Sequence, residues 1–266
     1  MAGYWETRQA KAQDNLTKKN VKATEKQLRV YYRKTFEKTL DEFEKTYLKI
    51  LQSIEEGKEP TPADLYKLDS YWELQSQLTQ ELQKLGDKQI TLLSKQFVNE
   101  YLGIYNSFAI EGMEAFKTLD KALANTMIRE IWCADGKSWS DRIWTNSKKL
   151  QQALNDRLIS CAIAGTPSGE LKKHLMAEFD VSYGRADRIV RTEMAHLQTQ
   201  AAQHRYKDYG LEYYEILGNE DDTCGNHSPD CHKLNGKRFK LSEMKVGVNA
   251  PPFHPNCKCC IVPIVG

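Results

Sequence analysis

Pro251-Pro252-Phe253-His254-Pro255-Asn256-Cys257-Lys258-Cys259-Cys260 is the stretch that decides how the end of this chain folds. Upstream of it lies Cys224-Gly225-Asn226-His227-Ser228-Pro229-Asp230-Cys231-His232. Five of the seven cysteines fall between Cys224 and Cys260, and three histidines share that window. Large apolar residues are sparse between them: Leu234, Phe239, Leu241, Met244, Val246, Val248 and Phe253. Each ordered residue costs about 1–2 kcal/mol of backbone entropy, more than so thin a core returns. A structural zinc ion contributes ~10 kcal/mol or more to folding. The segment therefore reads as a small module closed by Zn2+.

Zinc takes four Cys or His ligands in a tetrahedron, usually as two short-spaced pairs. Cys224 and Cys231 form one expected pair, His254 and Cys257 the other. His227, His232 and Cys259 are alternative ligands, because six residues separate Cys224 from Cys231 rather than the usual two to four. Buried thiols and a disulfide are the competing readings of the same cysteines. Pro251, Pro252 and Pro255 stiffen the second loop. Cys260 opens an apolar run and is expected in the core, as are the isolated Cys133 and Cys161. No His-Glu-x-x-His stands in the chain, and the deaminase pattern of His-x-Glu with Pro-Cys-x-x-Cys is absent. A catalytic metal is accordingly not expected.

Working outward, three strands are expected around the module: Leu211–Leu217, Lys237–Lys240 and Cys260–Val265, the last confined to an edge by Pro263. Everything before them is helical. Leu28, Tyr32, Phe36, Leu40, Phe43, Tyr47, Ile50 and Ile54 recur at three or four positions within an uninterrupted stretch from Trp5 to about Glu56. Thr61 is the expected N-cap of a second helix with Pro62 at its first position. Gly86 is expected to break or kink that helix, which resumes at Ile90 and runs to Phe116. A boundary falls near Asp135-Gly136. Further helices are expected over Ser140–Ala164, from Thr166-Pro167, and over Ser182–Tyr209 with Gly210 as the terminating glycine. The fold class is mainly α: a helical N-terminal body (1–135), then a segment (136–266) ending in a small C-terminal α+β Cys/His module.

On the last long helix Ala186, Val190, Glu193, Leu197 and Ala201 share one stripe, which puts a carboxylate where burial is expected. Such a group needs a partner. Arg188 and Arg191 are the expected ones, making a structural ion pair, with the C-terminal module as the alternative. A hydrolase or nuclease using Glu193 or His196 is a minor alternative.

The chain carries 38 basic against 36 acidic residues, a net charge of +2, so there is no global signal for nucleic acid or an anionic membrane. A local one exists at Lys18, Lys19, Lys22, Lys26, Arg29 and Arg33, candidate DNA contacts diluted by Glu25 and Glu37. No apolar run is long enough to span a bilayer, and Met1–Gln13 is too polar for a signal peptide. A reducing compartment is expected, in which clustered cysteines favour metal over disulfide.

The order of features resembles a known family. Arg191-Thr192-Glu193 on a helix precedes a glycine and a strand. Asp222-Thr223-Cys224, Cys231, Leu234-Asn235-Gly236-Lys237 and Pro251-Pro252-Phe253-His254-Pro255-Asn256-Cys257-Lys258-Cys259 follow. Over roughly Ile143–Pro263 this is similar to the phage head morphogenesis family, minor head proteins like the Mu F protein. Family members carry the first two cysteines as Cys-x2-Cys, so whether Cys231 or His227 completes the set is open here. The resemblance implies a structural minor capsid protein, not an enzyme. It would reside in the virion interior, and in the host cytoplasm during assembly. The implied partners are the portal protein, then scaffolding or major capsid protein and DNA, with no membrane.

Overall fold

The computed structural model describes residues 4–53, 60–107, 119–218 and 229–265. Helix α1 (Tyr4–Ser53) is one unbroken helix of 50 residues. Its buried positions Ala10, Gln13, Thr17, Val21, Thr24, Leu28 and Tyr32 step by three or four, as one face of a 3.6-residue period must. The stripe changes character along its length, small and polar first, then large and apolar through Leu40, Phe43, Tyr47 and Ile50. Two of its buried threonines bond back to their own helix. Thr24 and Thr39 donate to the carbonyls of Asn20 (2.8 Å) and Thr35 (2.7 Å), so burying them strands no donor.

Thr61 caps and Pro62 begins α2 (Pro62–Leu65), with the Thr61 N–H and hydroxyl both donating to Asp64 Oδ2 (3.2 and 2.6 Å). This helix is only one turn. The expected second helix starts afresh as α3 (Asp69–Ser107) and passes straight through Gly86. The expected break fails for a steric reason: a Cβ at Gly86 would lie 2.3 Å from Cζ3 of Trp144, so the glycine serves close packing. Short α4 (Lys121–Met127) is capped by Asp120, whose carboxylate accepts from Ala122 N–H at 3.1 Å. α5 (Trp139–Ile163) follows as expected. Where two helices are expected after Thr166, one helix stands, α6 (Ser168–Asp208), 41 residues long. It closes with the bonds Gly210 N–H to Lys207 O and Leu211 N–H to Tyr206 O, both 3.0 Å, with Gly210 at φ +67°. That left-handed residue is why a glycine stands there.

The chain packs as two compact units, both discontinuous in sequence: Met1–Glu25 with Leu92–Trp139 and Arg188–Gly266, and Lys26–Thr91 with Ser140–Asp187. Helices α1, α3 and α6 each contribute residues to both. Among its described residues the second unit has helices as its regular structure and no strand. Its core includes Leu28, Phe43, Leu74, Leu82, Ile143, Leu154, Leu171 and Phe179. A polar cluster sits inside it: Asn146 Nδ2 donates to Tyr32 Oη (3.1 Å) and Ser182 O (2.8 Å). Tyr47 reaches the α5 terminus, its hydroxyl 2.8 Å from Cys161 O and 2.7 Å from Thr166 O.

The first unit carries the sheet. β1 (Tyr213–Leu217) lies between β2 (Arg238–Lys240) and β3 (Cys260–Ile264), both antiparallel to it. β3 is an edge strand, where Pro263 is tolerated because one side needs no ladder donor. Tyr214, opposite Pro263 and Phe239, is fully buried together with Ile216 and Val262. Trp139 packs edge to face on Phe97 (5.2 Å) and donates its indole N–H to Ile128 O at 2.8 Å. Among the described residues no helix is long and apolar enough to cross a membrane.

Candidate metal centre

Short α7 (Pro229–Leu234) carries Cys231, and the loop entering β3 carries Cys257 and Cys259. That loop turns sharply. The Cys257 N–H donates to His254 O (3.1 Å), and Asn256 takes φ +62°, a left-handed conformation asparagine tolerates. The Asn256 N–H donates to Thr192 Oγ1 (3.2 Å), whose hydroxyl donates to Arg188 O (2.7 Å) on α6. A single side chain thus ties the cysteine turn to the last long helix.

The outcome is three sulfurs within 4.8 Å of one another, on residues exposed by only 3% (Cys231), 4% (Cys257) and 2% (Cys259), with Phe253 packed against them. Thiolates around one zinc at about 2.3 Å stand ~3.8 Å apart, so the triplet is of the right size. The Cys257 thiol is held well below its ordinary pKa, first by a hydrogen bond with Cys259, then by backbone bonds with Phe253 and Cys259 and by the nearby His254, against the opposing effect of burial. Three buried thiols, one biased toward thiolate, fit a soft divalent cation.

The expected ligands distribute as follows. Cys231 and Cys257 are in the triplet, and Cys259, expected as an alternative, joins them. His254 lies outside it, half-buried, its Nδ1 2.8 Å from Pro255 O. Cys224 and His227 fall outside the described residues, as does the side chain of His232. Cys260 faces away, clustered with Ala10, Val262 and Leu217, and burial pushes its thiol up to about 12. Cys161 is core, but Cys133 is only half-buried because it sits in the loop before α5.

Glu193 is buried as its stripe position requires, at 6% exposure. It accepts a hydrogen bond from Trp132 Nε1 (2.9 Å). Arg191 pairs with Glu25 on α1, and Arg188 accepts from Thr192 through its carbonyl. Trp132 also stacks on His196, centroids 4.3 Å apart and planes at 13°. His196 is 4% exposed, and burial depresses its pKa to about 3, so it is neutral. Sequence reasoning missed Trp132 and Thr192 as partners. Thr192 stands inside the Arg-Thr-Glu run already singled out, and Asn256 is a natural left-handed turn residue, so a signal existed for one end of that contact.

The candidate DNA contacts on α1 are all exposed. Lys18 pairs with Asp14 (2.6 Å), Arg33 with Glu37 (3.5 Å), and Arg29 lies over the Tyr183 ring (4.5 Å). Lys18 and Lys22 line a cleft of about 180 Å3 together with Arg191, Lys258 and Cys257, whereas Lys19, Lys26, Arg29 and Arg33 do not.

No curated protein and no solved structure matches the chain. Residues 152–262 match the family model described as Phage Mu protein F like protein. That span holds α6, the sheet up to Val262 and all three clustered thiols, and it is to this phage family, over this span, that the chain is similar.

Proposed function

We propose that this chain is a structural protein of a phage head, a minor capsid protein that associates with the portal in the procapsid interior and acts in head assembly. In this reading its C-terminal module is closed by one structural zinc on Cys231, Cys257 and Cys259, with a fourth ligand from among Cys224, His227, His232 and His254. The observation that carries it is coincidence: the thiol triplet lies inside the span similar to the phage Mu F like family. Bound there, zinc would supply folding free energy to a segment with little apolar core. The three cysteines are closed off from water, as ligands of a structural site are, whereas a catalytic zinc keeps an open position. Glu193 and His196, covered by Trp132, are likewise poorly placed for a hydrolase. The experiment is co-expression with the cognate portal protein followed by size-exclusion purification. Co-elution with the portal oligomer supports the reading, and a chain that never enters portal or head fractions sinks it.

A second reading, DNA contact in the virion interior, draws on one feature. The cleft holding Lys18, Lys22, Arg191 and Lys258 adjoins another of about 390 Å3 lined in part by Lys11, Lys18 and Lys258, against the two acids Asp14 and Glu25. Retention on duplex DNA that falls steeply with salt and weakens in Lys11→Gln/Lys22→Gln would support it. Unchanged retention in that variant would remove it.

A further inference from the structure

The second unit carries an exposed tryptophan at the start of α3 that the head-protein reading does not use. Trp72 is 57% exposed. Its indole is nonetheless fixed. Nε1 donates to Tyr66 O at 2.8 Å, and the ring meets Tyr71 edge to face at 5.2 Å and 83°. An exposed aromatic ring already held in place loses little entropy when something stacks on it.

From Trp72 a cleft of about 580 Å3 runs along α3 and α5. Its remaining lining is almost entirely uncharged hydrogen-bonding groups, with Lys148 the one charged residue among those lining it. Several of them are fixed in orientation. Asn155 Oδ1 accepts from Tyr71 Oη (2.7 Å) and Gln75 Nε2 (2.9 Å), which uses both its lone pairs and leaves its NH2 as a donor. Gln151 Nε2 donates to Thr79 Oγ1 (2.7 Å), which leaves its carbonyl as an acceptor. Gln152 and Ser76 are exposed beside them.

These features narrow the occupant. A polyanion needs several cations, and one is present. A proline-rich segment docks on aromatic slots partly through the indole N–H, which here is already bonded to Tyr66 O. An amphipathic helix needs a row of apolar anchors, and along this cleft Trp72 is the exposed apolar side chain, Tyr71 being buried. What fits is an uncharged polyol with one apolar face: a pyranose ring, whose C–H face packs on an indole while its hydroxyls meet amide donors and acceptors. We propose that this cleft binds a neutral oligosaccharide, with Trp72 as the stacking platform and Asn155, Gln151 and Gln152 as the hydroxyl partners.

The test uses the full chain, titrated with cellotriose, maltotriose and triacetylchitotriose, following tryptophan emission and heat. At least one trisaccharide is expected to bind with a Kd on the order of 1 mM. Binding should be insensitive to salt, at least ~10-fold weaker in Trp72→Ala, and measurably weaker in Gln152→Ala, an exposed site whose replacement leaves the fold intact. Failure of all three sugars to bind would overturn the proposal. So would binding undiminished in Trp72→Ala, or a Trp72-dependent response to oligothymidylate or a polyproline peptide instead of sugar.

Discussion

Gly86→Ala is the sharpest perturbation of the helical scaffold. Inside a helix, alanine is favoured over glycine by about 0.8–1 kcal/mol. At Gly86 the added methyl would stand 2.3 Å from Cζ3, 2.6 Å from Cη2 and 3.0 Å from Cε3 of Trp144. Carbon atoms pack best at ~3.5–4.0 Å, so the indole must retreat by more than ~1 Å. Overpacking of that kind costs roughly 1–3 kcal/mol. The overpacking exceeds the propensity gain, and Gly86→Ala should destabilise by about 1 kcal/mol. Gly184 provides the internal control, since it too lies within a helix of the same unit and an added Cβ there meets nothing within 4 Å. Gly184→Ala should stabilise by ~0.5–1 kcal/mol. The assay is urea unfolding followed by far-UV circular dichroism, with Trp144→Val as a second background. In that background Gly86→Ala should become stabilising, a coupling of roughly 2 kcal/mol between the sites. Equal stabilisation by Gly86→Ala and Gly184→Ala in the parent would refute the packing argument.

Two further outcomes follow from the first unit. Thr192→Val removes the acceptor of the Asn256 N–H and should weaken the cysteine turn by about 1–2 kcal/mol, read as faster loss of metal to a competing chelator, with α6 unaltered by circular dichroism. Two buried groups give pH dependences of opposite sign. His196, depressed to about 3 by burial, contributes stability above an unfolded value near ~6.5 that is lost as pH falls toward its folded value, so His196→Gln should flatten the acid limb. Glu100 is raised, mainly by burial, against hydrogen bonds from Asn20 and Thr17. Its contribution is fully present below an unfolded value near ~4.3 and falls as pH rises through the folded one, so Glu100→Gln should remove that decline. Unfolding free energies across pH 3–8 for each variant against the parent check both signs.

Much of the fold is legible in the sequence because periodicity survives packing. The α1 stripe, the Thr61-Pro62 start, the α5 and α6 ends and all three strands stand where spacing and turn residues put them. Gly86 is misread because its role depends on a distant residue: Trp144 fills the space a side chain would occupy. Local propensity cannot see that. The two units are not read from the sequence either, since three helices each contribute to both. At the thiol cluster, Cys231 and Cys257 are readable from cysteine density. That Cys259 joins them takes the fold, because the Asn256 turn sets how Cys257-Lys258-Cys259-Cys260 runs: Cys257 and Cys259 lie with Cys231, and Cys260 enters the core. The Trp132 hydrogen bond to Glu193 is illegible too, for Trp132 lies in a loop with no periodicity.

The most direct measurement is zinc per chain after chelator-free purification, for the parent, Cys231→Ser, Cys257→Ser and Cys260→Ser. About one equivalent is expected in the parent and in Cys260→Ser, whose thiol packs against Ala10 and Val262, with loss of the metal in Cys231→Ser and Cys257→Ser. A parent that holds no zinc while its thiols remain reduced, or a Cys260→Ser variant that alone loses it, would contradict the account.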